Sequence, residues 1–426
     1  MNNFLYKYQS FIGKVNYLLF LVVVALLPFP QVFSRHAWIL WIGCWILEGR
    51  FLSKPKLNEW RKMLPFLFFG AWFLWKAISG LWAQDDIAYN WLLERYMMFG
   101  LLVPVGIWGV SSHYDWKQIC RVLVIACIAA AGVYAFTIFW VYNNNIFYNK
   151  IGALPTNEFP FDFFAEKISF IKHRLFLSSI MMMGIMALLY IRKDICQKRG
   201  TLLGWIMIVI GIAIMASLII ATGSRASILS GAALITIALL YKLPIRKIKY
   251  KIALIVFAGF IGTFALLQHP RMSDFSFEEA ISKEVDKYDE YVRLNIWRIA
   301  LHNRDEYSLY GVGAGQSFGY LQEKYADYNI THYSQLNAHN QYLEEWIEIG
   351  IPGMVFFILA WLSLVVFVQG EGRKTAILLF TLYSLNMLTD CMFGRFDGIA
   401  LWGVIMILIR IQSNTQSHQQ PTGDTQ

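Results

Sequence analysis

Charged residues are scarce in this sequence. Asp, Glu, Lys and Arg make up only 15% of it and 57% is hydrophobic, whereas roughly a quarter of a soluble domain is charged. Apolar runs close to the roughly 20 residues that cross a bilayer recur from residue 16 almost to residue 411. The composition therefore excludes a large soluble domain and predicts a chain that folds in lipid.

Motifs that would bind nucleotides or metals are also missing. The sequence has no Gly-x-x-x-x-Gly-Lys-Ser/Thr loop, no His-Glu-x-x-His and no paired Cys or His set. Its five cysteines lack disulfide spacing and are interpreted as packing residues: Cys44, Cys120, Cys127, Cys196 and Cys391. We therefore expect neither ATP, nor a metal, nor another cofactor.

The apolar runs predict an all-α integral membrane protein with about 12 transmembrane helices. The run Tyr17 to Leu27 lacks a small-residue cleavage site after Phe29-Pro30, so it is interpreted as the first span and not as a signal peptide. One membrane domain is expected over 1–412, followed by a polar, disordered cytoplasmic tail at 413–426. The predicted spans are 16–34, 36–53, 64–82, 88–110, 118–142, 170–191, 202–221, 226–243, 251–268, 342–368, 374–393 and 396–411.

The basic residues are concentrated in alternate loops. In a soluble protein the net charge of +9 would suggest nucleic acid, but here topology explains it and no nucleic-acid partner is expected. Cytoplasmic loops carry the excess of Lys and Arg, so both termini are predicted in the cytoplasm. The basic loops are those near Arg50–Lys62, Lys117–Arg121, Arg192–Arg199 and Lys242–Lys251.

Two long loops, 143–169 and 269–341, belong to the opposite, outward-facing set. The second is far longer than a connection requires, and such loops are usually functional or disordered. Its aromatic content favours order, Ser276 to Arg304 has helix-forming composition, and Gly311 to Gly315 is expected to be a flexible turn. We therefore predict a partly helical outward-facing loop before the tenth span.

The first candidate site lies between the seventh and eighth spans, at Thr222 to Ser227. Ser224 or Thr222 is placed to cap the helix that begins near Arg225. Free amides at a helix N-terminus beside an Arg form an anion site. The alternative is an ordinary Arg that anchors a span at the interface.

The second candidate lies in the long loop, where Arg293 and Trp297 are four residues apart and share a helical face. A guanidinium beside an indole suits phosphate or sugar. The alternative is an amphipathic helix that lies on the bilayer with both side chains at headgroup level.

The third candidate is His339-Asn340, where the long loop enters the tenth span. A His at the membrane edge titrates near neutral pH and suits a general base. Glu344, Glu345 and Glu348 follow, and at least one of them is expected to orient the imidazole or raise its basicity. The alternative is a structural histidine.

Charged residues within the spans are costly and are normally paired or functional. Arg95 and Arg174 are expected to extend a cationic pocket towards the outer face, and Lys76 is a further polar residue at membrane depth. Glu94 or Asp390 is expected to neutralise basic neighbours.

Together these residues resemble the O-antigen ligase and polymerase superfamily of bacterial envelopes. His339-Asn340 followed by nine residues and then Gly350 and Gly353 is similar to that family's His-(Asn/Ser/Gln)-nine-Gly signature. Ser224-Arg225, and Arg293 followed by Trp297, fit the same family.

The resemblance implies a metal-independent, inverting glycosyltransferase of the bacterial inner membrane, with 269–341 as its periplasmic catalytic loop. It would take a glycan from an undecaprenyl-diphosphate carrier on the periplasmic face. Arg225 and Arg293 would hold the diphosphate, and His339 would deprotonate the acceptor hydroxyl.

Several hypotheses for the function are compatible with the sequence. A ligase that transfers the glycan to lipid A-core leads, and the alternative is a polymerase of O-antigen or another surface polysaccharide with almost the same donor site. Transfer to a protein hydroxyl is a third possibility. A transporter of lipid-linked glycans would predict internal repeats or matching broken helices, and the sequence has no such symmetry.

Overall fold

A computed structural model describes residues 2–54, 60–143, 172–242, 292–330, 336–368 and 371–415. Helices and short 3-10 turns dominate these ranges. The chain divides into two compact units, the first formed by Met1–Ser53 with Val110–Gly231 and the second by Lys54–Gly109 with Ala232–Gln426.

The first unit is built from long apolar helices. Helix α1 packs on α2 and α5, and α6 packs on α5 and α7. Helix α8 begins in this unit and ends in the second. The helices are α1 (Asn2–Leu26), α2 (Gln31–Glu48), α5 (Trp116–Asn143), α6 (Arg174–Arg199), α7 (Thr201–Ala221) and α8 (Arg225–Lys242).

Three polar side chains inside the first unit are linked by hydrogen bonds. The Asn16 amide donates to the Trp41 carbonyl at 3.0 Å, the Trp41 indole donates to the Tyr114 hydroxyl at 2.7 Å, and that hydroxyl donates to Asn16 Oδ1 at 2.6 Å. A buried polar group without a partner is costly in an apolar medium. This closed chain of hydrogen bonds therefore fixes α1, α2 and the loop before α5.

The second unit places three shorter elements beside its long helices. Helix α3 packs on α4 and α11, α13 packs on α4 and α12, and α9 and α10 pack on each other and on α11. The helices are α3 (Trp60–Ile78), α4 (Asp86–Trp108), α9 (Val292–His302), α10 (Ser317–Asp327), α11 (Gln341–Val366), α12 (Glu371–Met387) and α13 (Phe396–Thr415), with 3-10 turns at Ser79–Trp82 and Met392–Gly394.

The structure confirms a helical membrane protein. Among the described residues six helices are long and apolar enough to cross a bilayer: Lys7–Leu26, Trp60–Trp82, Trp116–Thr137, Arg174–Arg199, Thr201–Ala221 and Gln341–Val366. Helices also stand at the other predicted positions except the ninth, 251–268, which lies outside the described residues. Helix α12 has 17 residues, at the short end of what spans a bilayer. The count of about twelve spans stays a prediction.

One predicted boundary is wrong. The expected break between the first two spans was at residue 35, but α1 ends at Leu26 and α2 begins at Gln31. Pro28 and Pro30 stand in this break, and proline supplies no amide to continue a helix. The composition-based span therefore extended several residues too far.

The long loop before α11 is ordered in its described part. Residues 292–302 form α9, as the helix predicted at Ser276 to Arg304 requires, and the first part of that prediction lies outside the described residues. Ile296, Ile299, Leu321 and Ile347 form part of one buried cluster that joins α9, α10 and α11. At the other end α13 continues to Thr415, past the predicted start of the tail at 413, and 416–426 lie outside the described residues.

Candidate functional site

Helix α11 is interrupted near its middle. Gly350 adopts φ 63° and ψ −168°, which is not a helical conformation, and glycine takes up positive φ at little cost. Two residues later Pro352 has no amide to donate, and the Ile351 amide donates out of the helix to the Ser308 carbonyl at 2.8 Å. The helix therefore has a kink, and carbonyl groups on the N-terminal side of the kink have no amide donor within the helix.

The loop before α10 occupies those carbonyl groups. The Val312 amide donates to Ile347 O at 2.8 Å and the Gly313 amide donates to Glu348 O at 2.9 Å. Gly311 has φ 78° and lies directly on the backbone of Glu348 and Ile349, where a Cβ atom has no room. Every one of these contacts needs backbone to approach backbone, which explains the glycines.

The turn predicted at Gly311 to Gly315 is present, but it is tightly packed and not free to flex. A Cβ on Gly313 would lie 2.8 Å from Ala83 Cα, and one on Gly315 would lie 2.7 Å from the Ala88 carbonyl oxygen. The Ala314 amide also donates to Ser79 Oγ at 3.1 Å. The turn therefore joins α3, α4 and the kink of α11.

His339 lies immediately before α11. Its φ of 46° is in the left-handed region, rare for a residue with a side chain, and its amide donates to Asn337 Oδ1 at 3.1 Å. Asn340 caps the helix, since its Oδ1 accepts from the amides of Tyr342 and Leu343 at 3.0 and 3.1 Å. The cap and the turn together fix the point where the imidazole leaves the backbone.

Asp390, after α12, faces this imidazole. His339 Nδ1 lies 3.7 Å from Asp390 Oδ1, and the two side chains are 25% and 19% exposed. The distance suits an ion pair but exceeds a hydrogen bond, and His339 Nδ1 has no hydrogen-bond partner in the described part of the chain. Catalytic hydrogen bonds are often long before substrate binds.

Glu344 connects the two segments that carry His339 and Asp390. Its Oε2 accepts from the Ala338 amide at 3.3 Å and from the Cys391 thiol at 3.5 Å, and its Oε1 accepts from Ser317 Oγ at 2.6 Å. Burial raises the pKa of the Cys391 thiol well above its usual value, and the carboxylates of Glu344 and Asp390 raise it further. The Cys391 thiol is therefore a hydrogen-bond donor to Glu344.

The buried Lys76 forms ion pairs with Glu345 and Glu348, the other two glutamates near the start of α11. Lys76 Nζ lies 2.9 Å from Glu345 Oε2 and 2.7 Å from Glu348 Oε2, and all three side chains are at most 2% exposed. Glu345 also accepts from the Trp72 indole at 3.0 Å and from the Gln341 amide at 2.7 Å. Glu345 and Glu348 therefore do not orient the imidazole, and the carboxylate nearest to the ring is that of Asp390. Within the described part of the chain, only Glu344 of the three glutamates contacts the segment that carries His339.

The fold places the two residues of the second candidate, Arg293 and Trp297, in different environments. On α9 Arg293 is exposed, whereas Trp297 is partly buried and its indole donates to the Ala338 carbonyl at 2.9 Å. Trp297, expected to contact substrate, instead holds α9 against the residue before His339. Arg298 turns to Asn295 Oδ1 at 3.1 Å.

Arg95, expected to extend a cationic pocket, lies on α4 in the same unit. Its Nη1 donates to the Gly394 carbonyl at 2.6 Å and its Nε to the Trp91 carbonyl at 3.2 Å. It lines a cavity of about 1070 Å³ whose wall also includes Asn337, Glu344 and Glu348. Glu94, a candidate for neutralising basic residues, is exposed.

The first candidate belongs to the first unit. Ser224 Oγ accepts from the Ser227 amide at 3.4 Å, so Ser224 caps α8 as predicted. Ser178 Oγ lies 2.7 Å from Thr222 Oγ1, which brings the start of α6, where Arg174 stands, beside the turn before α8. Arg225 is the first residue of α8, and its side chain lies outside the described part of the structure.

Sequence reasoning missed the network around Lys76 and the pairing of Asp390 with His339. Lys76 and Glu345 are 269 residues apart in the chain, so spacing gave no signal of their contact. The sequence does contain one signal. A lone Lys within an apolar span needs a buried carboxylate as its partner, and Glu345 and Glu348 lie in the apolar segment that forms α11.

Comparison with known proteins gives a match to one family model. Residues 210–358 of this chain match the model described as O-antigen ligase. The matched range includes the turn before α8, α9, His339 and the kink of α11. No curated protein matches the chain.

Proposed function

We propose, from the premise that this chain belongs to the O-antigen ligase and polymerase superfamily, that it is a ligase acting on the periplasmic face. It transfers a glycan from undecaprenyl diphosphate to lipid A-core. The observation that carries this proposal is the His339–Asp390 pair, a partly exposed imidazole with a carboxylate behind it at the start of α11.

His339 is the general base in this scheme. Its Nε2 takes the proton of the acceptor hydroxyl as that oxygen attacks the anomeric carbon of the donor. The new carbon–oxygen bond forms as the bond to the diphosphate breaks on the opposite face, so the anomeric configuration inverts and undecaprenyl diphosphate leaves with the bonding electrons. Asp390, beside Nδ1, fixes the ring and stabilises the imidazolium.

Cationic side chains take the place of a metal in this proposal. Developing charge on a diphosphate leaving group needs donors that are already in position, and guanidinium groups grip phosphate oxygens in pairs. Arg293, exposed on α9, and Arg225, at the start of α8, are assigned this role. The adjacent starts of α6 and α8 in the first unit support a contribution from Arg174.

A polymerase of surface polysaccharide is the alternative within the same superfamily. It would use the same base and the same diphosphate site, and would differ in the acceptor, which would be a glycan repeat unit.

Replacement of the base tests the proposal directly. In purified protein given lipid-linked donor and acceptor, His339→Ala should lose about 10²–10⁴-fold in transfer, the usual contribution of a general base, while donor binding stays intact. His302→Ala is the matched control, because His302 is an exposed histidine of α9 in the same unit. Wild-type transfer by His339→Ala would refute the assigned role.

The diphosphate site has its own test. Arg293→Lys and Arg225→Lys keep the charge but remove the planar fork, so the apparent KM for donor should rise roughly tenfold, the equivalent of one lost charge-assisted hydrogen bond. Arg304→Lys, 59% exposed in the same loop, should leave it unchanged. Full donor affinity in both test variants would argue against diphosphate binding at these residues.

A further inference from the structure

The second unit contains a large cavity next to the His339 segment. Its volume of about 1070 Å³ is at the upper end of the roughly 300–1,000 Å³ that small-molecule sites occupy. Its wall is formed by the start of α4, by the loop before α10 together with the first turns of α10, and by the first turns of α11. This is room for several sugar rings.

The charge of the wall disfavours an anion. Asp85, Glu323 and Glu344 line the cavity with the single guanidinium of Arg95, and a fourth acidic residue of the wall, Glu348, is paired with the buried Lys76. Two of the Arg95 nitrogens already donate to backbone carbonyls. Like charges repel strongly where water is partly excluded, so a diphosphate has no favourable position in this cavity.

Aromatic rings supply the other half of the wall. Trp91 on α4 and Phe318 on α10 line the cavity and remain 66% and 43% exposed. A pyranose ring has an apolar C–H face, which stacks on such rings, and a rim of hydroxyl groups, which donate to carboxylates and amides. The wall therefore combines the two chemistries that recognise a sugar without acidic groups.

The cavity also adjoins the segment that carries the base. Asn337, on the wall, accepts the His339 amide at 3.1 Å, and Glu344 accepts the Ala338 amide at 3.3 Å. A saccharide held there would lie next to the backbone segment from which His339 projects. We infer that this cavity binds the acceptor as a neutral or amine-bearing saccharide, and not the diphosphate of the donor. The inference rests on the proposed function.

Saturation-transfer NMR on the purified full-length protein in detergent tests this inference. The probes are N-acetylglucosamine tetrasaccharide, its deacetylated amine-bearing form, and galacturonate tetrasaccharide. The first two should give signals and the acidic one should not, and excess inorganic pyrophosphate should not reduce the signals.

Paired tryptophan variants assign the signal to the cavity. Trp91→Ala should weaken binding about tenfold through loss of one stacking contact. Trp60→Ala removes another half-exposed indole, of the same unit but outside the cavity wall, and should bind as wild type.

Three results would overturn the inference: equal binding of galacturonate tetrasaccharide, displacement by pyrophosphate, or wild-type affinity in Trp91→Ala. Absence of signal from both non-acidic probes would also overturn it. No donor is present and no bond forms in this measurement, so it is independent of the transfer assay on His339→Ala. The proposed function and this inference therefore fail separately.

Discussion

Glu344 has three donors on its two oxygens: the Ala338 amide, the Cys391 thiol and the Ser317 hydroxyl. Two of these donors adjoin His339 and Asp390 in the chain. The carboxylate therefore sets the separation of the proposed base and its partner, which makes Glu344 a positioning residue.

Glu344→Gln tests this role. The amide side chain keeps one acceptor oxygen, so at least one of the three donors loses its partner, at a cost of about 1–3 kcal/mol each. We expect kcat to fall severalfold with KM for donor unchanged and with an altered pH–rate profile.

Asp305→Asn makes the same chemical change at a side chain that is 93% exposed and should leave all three quantities unchanged. A lower Tm in Glu344→Gln together with a normal kcat and a normal pH–rate profile would reduce Glu344 to a structural role.

Lys76 illustrates how far a single sequence predicts at this scale. Its position within an apolar span marks it as paired or functional, but the choice of Glu345 and Glu348 as partners depends on how α3 packs against α11. The same limit applies to Asp390, which the sequence suggests as a partner of some basic residue without identifying His339.

At the scale of secondary structure, the kink of α11 connects the signature glycines to the site. A Cβ atom added to Gly350 would lie 2.7 Å or less from Tyr310 C, Gly311 N and Leu309 O. Any side chain there would push the loop 308–313 off the helix. The same loop continues into α10, whose first turn contacts Glu344 and Glu348 through Ser317.

Gly350→Ala should therefore destabilise the second unit. The left-handed φ and the missing space together cost roughly 2–4 kcal/mol, which should appear as a lower Tm and a lower yield from membranes. Gly132→Ala in α5 is the control, because a Cβ there meets nothing within 4 Å and alanine favours a helix. Equal Tm values for the two variants would contradict the packing account of the kink.

Helix positions followed closely from apolar runs, since a segment that crosses lipid must be both helical and about 20 residues long. The kink did not follow, although Gly350 and Pro352 are visible in the sequence, because Gly and Pro are common in membrane helices without breaking them. Only the partner groups at 308–313 distinguish a kink from a tolerated residue.

At the scale of the whole molecule, composition alone established a helical membrane protein. The orientation that places both termini in the cytoplasm and the long loops outward rests on the distribution of Lys and Arg. The assignment of Arg225, Arg293 and His339 to one side of the membrane is a prediction from span parity and depends on that orientation.

Deletion of the gene in its native host tests the central claim, a transfer of lipid-linked glycan that depends on His339. The envelope glycans of the deletion strain are separated on a lipopolysaccharide gel, with complementation by wild type, His339→Ala or His302→Ala. We expect polymer to accumulate on undecaprenyl diphosphate in the deletion strain if the protein is a ligase, and core bearing a single repeat unit if it is a polymerase. Wild type and His302→Ala should restore the normal pattern and His339→Ala should not. An unchanged glycan pattern after deletion, or full restoration by His339→Ala, would contradict the account.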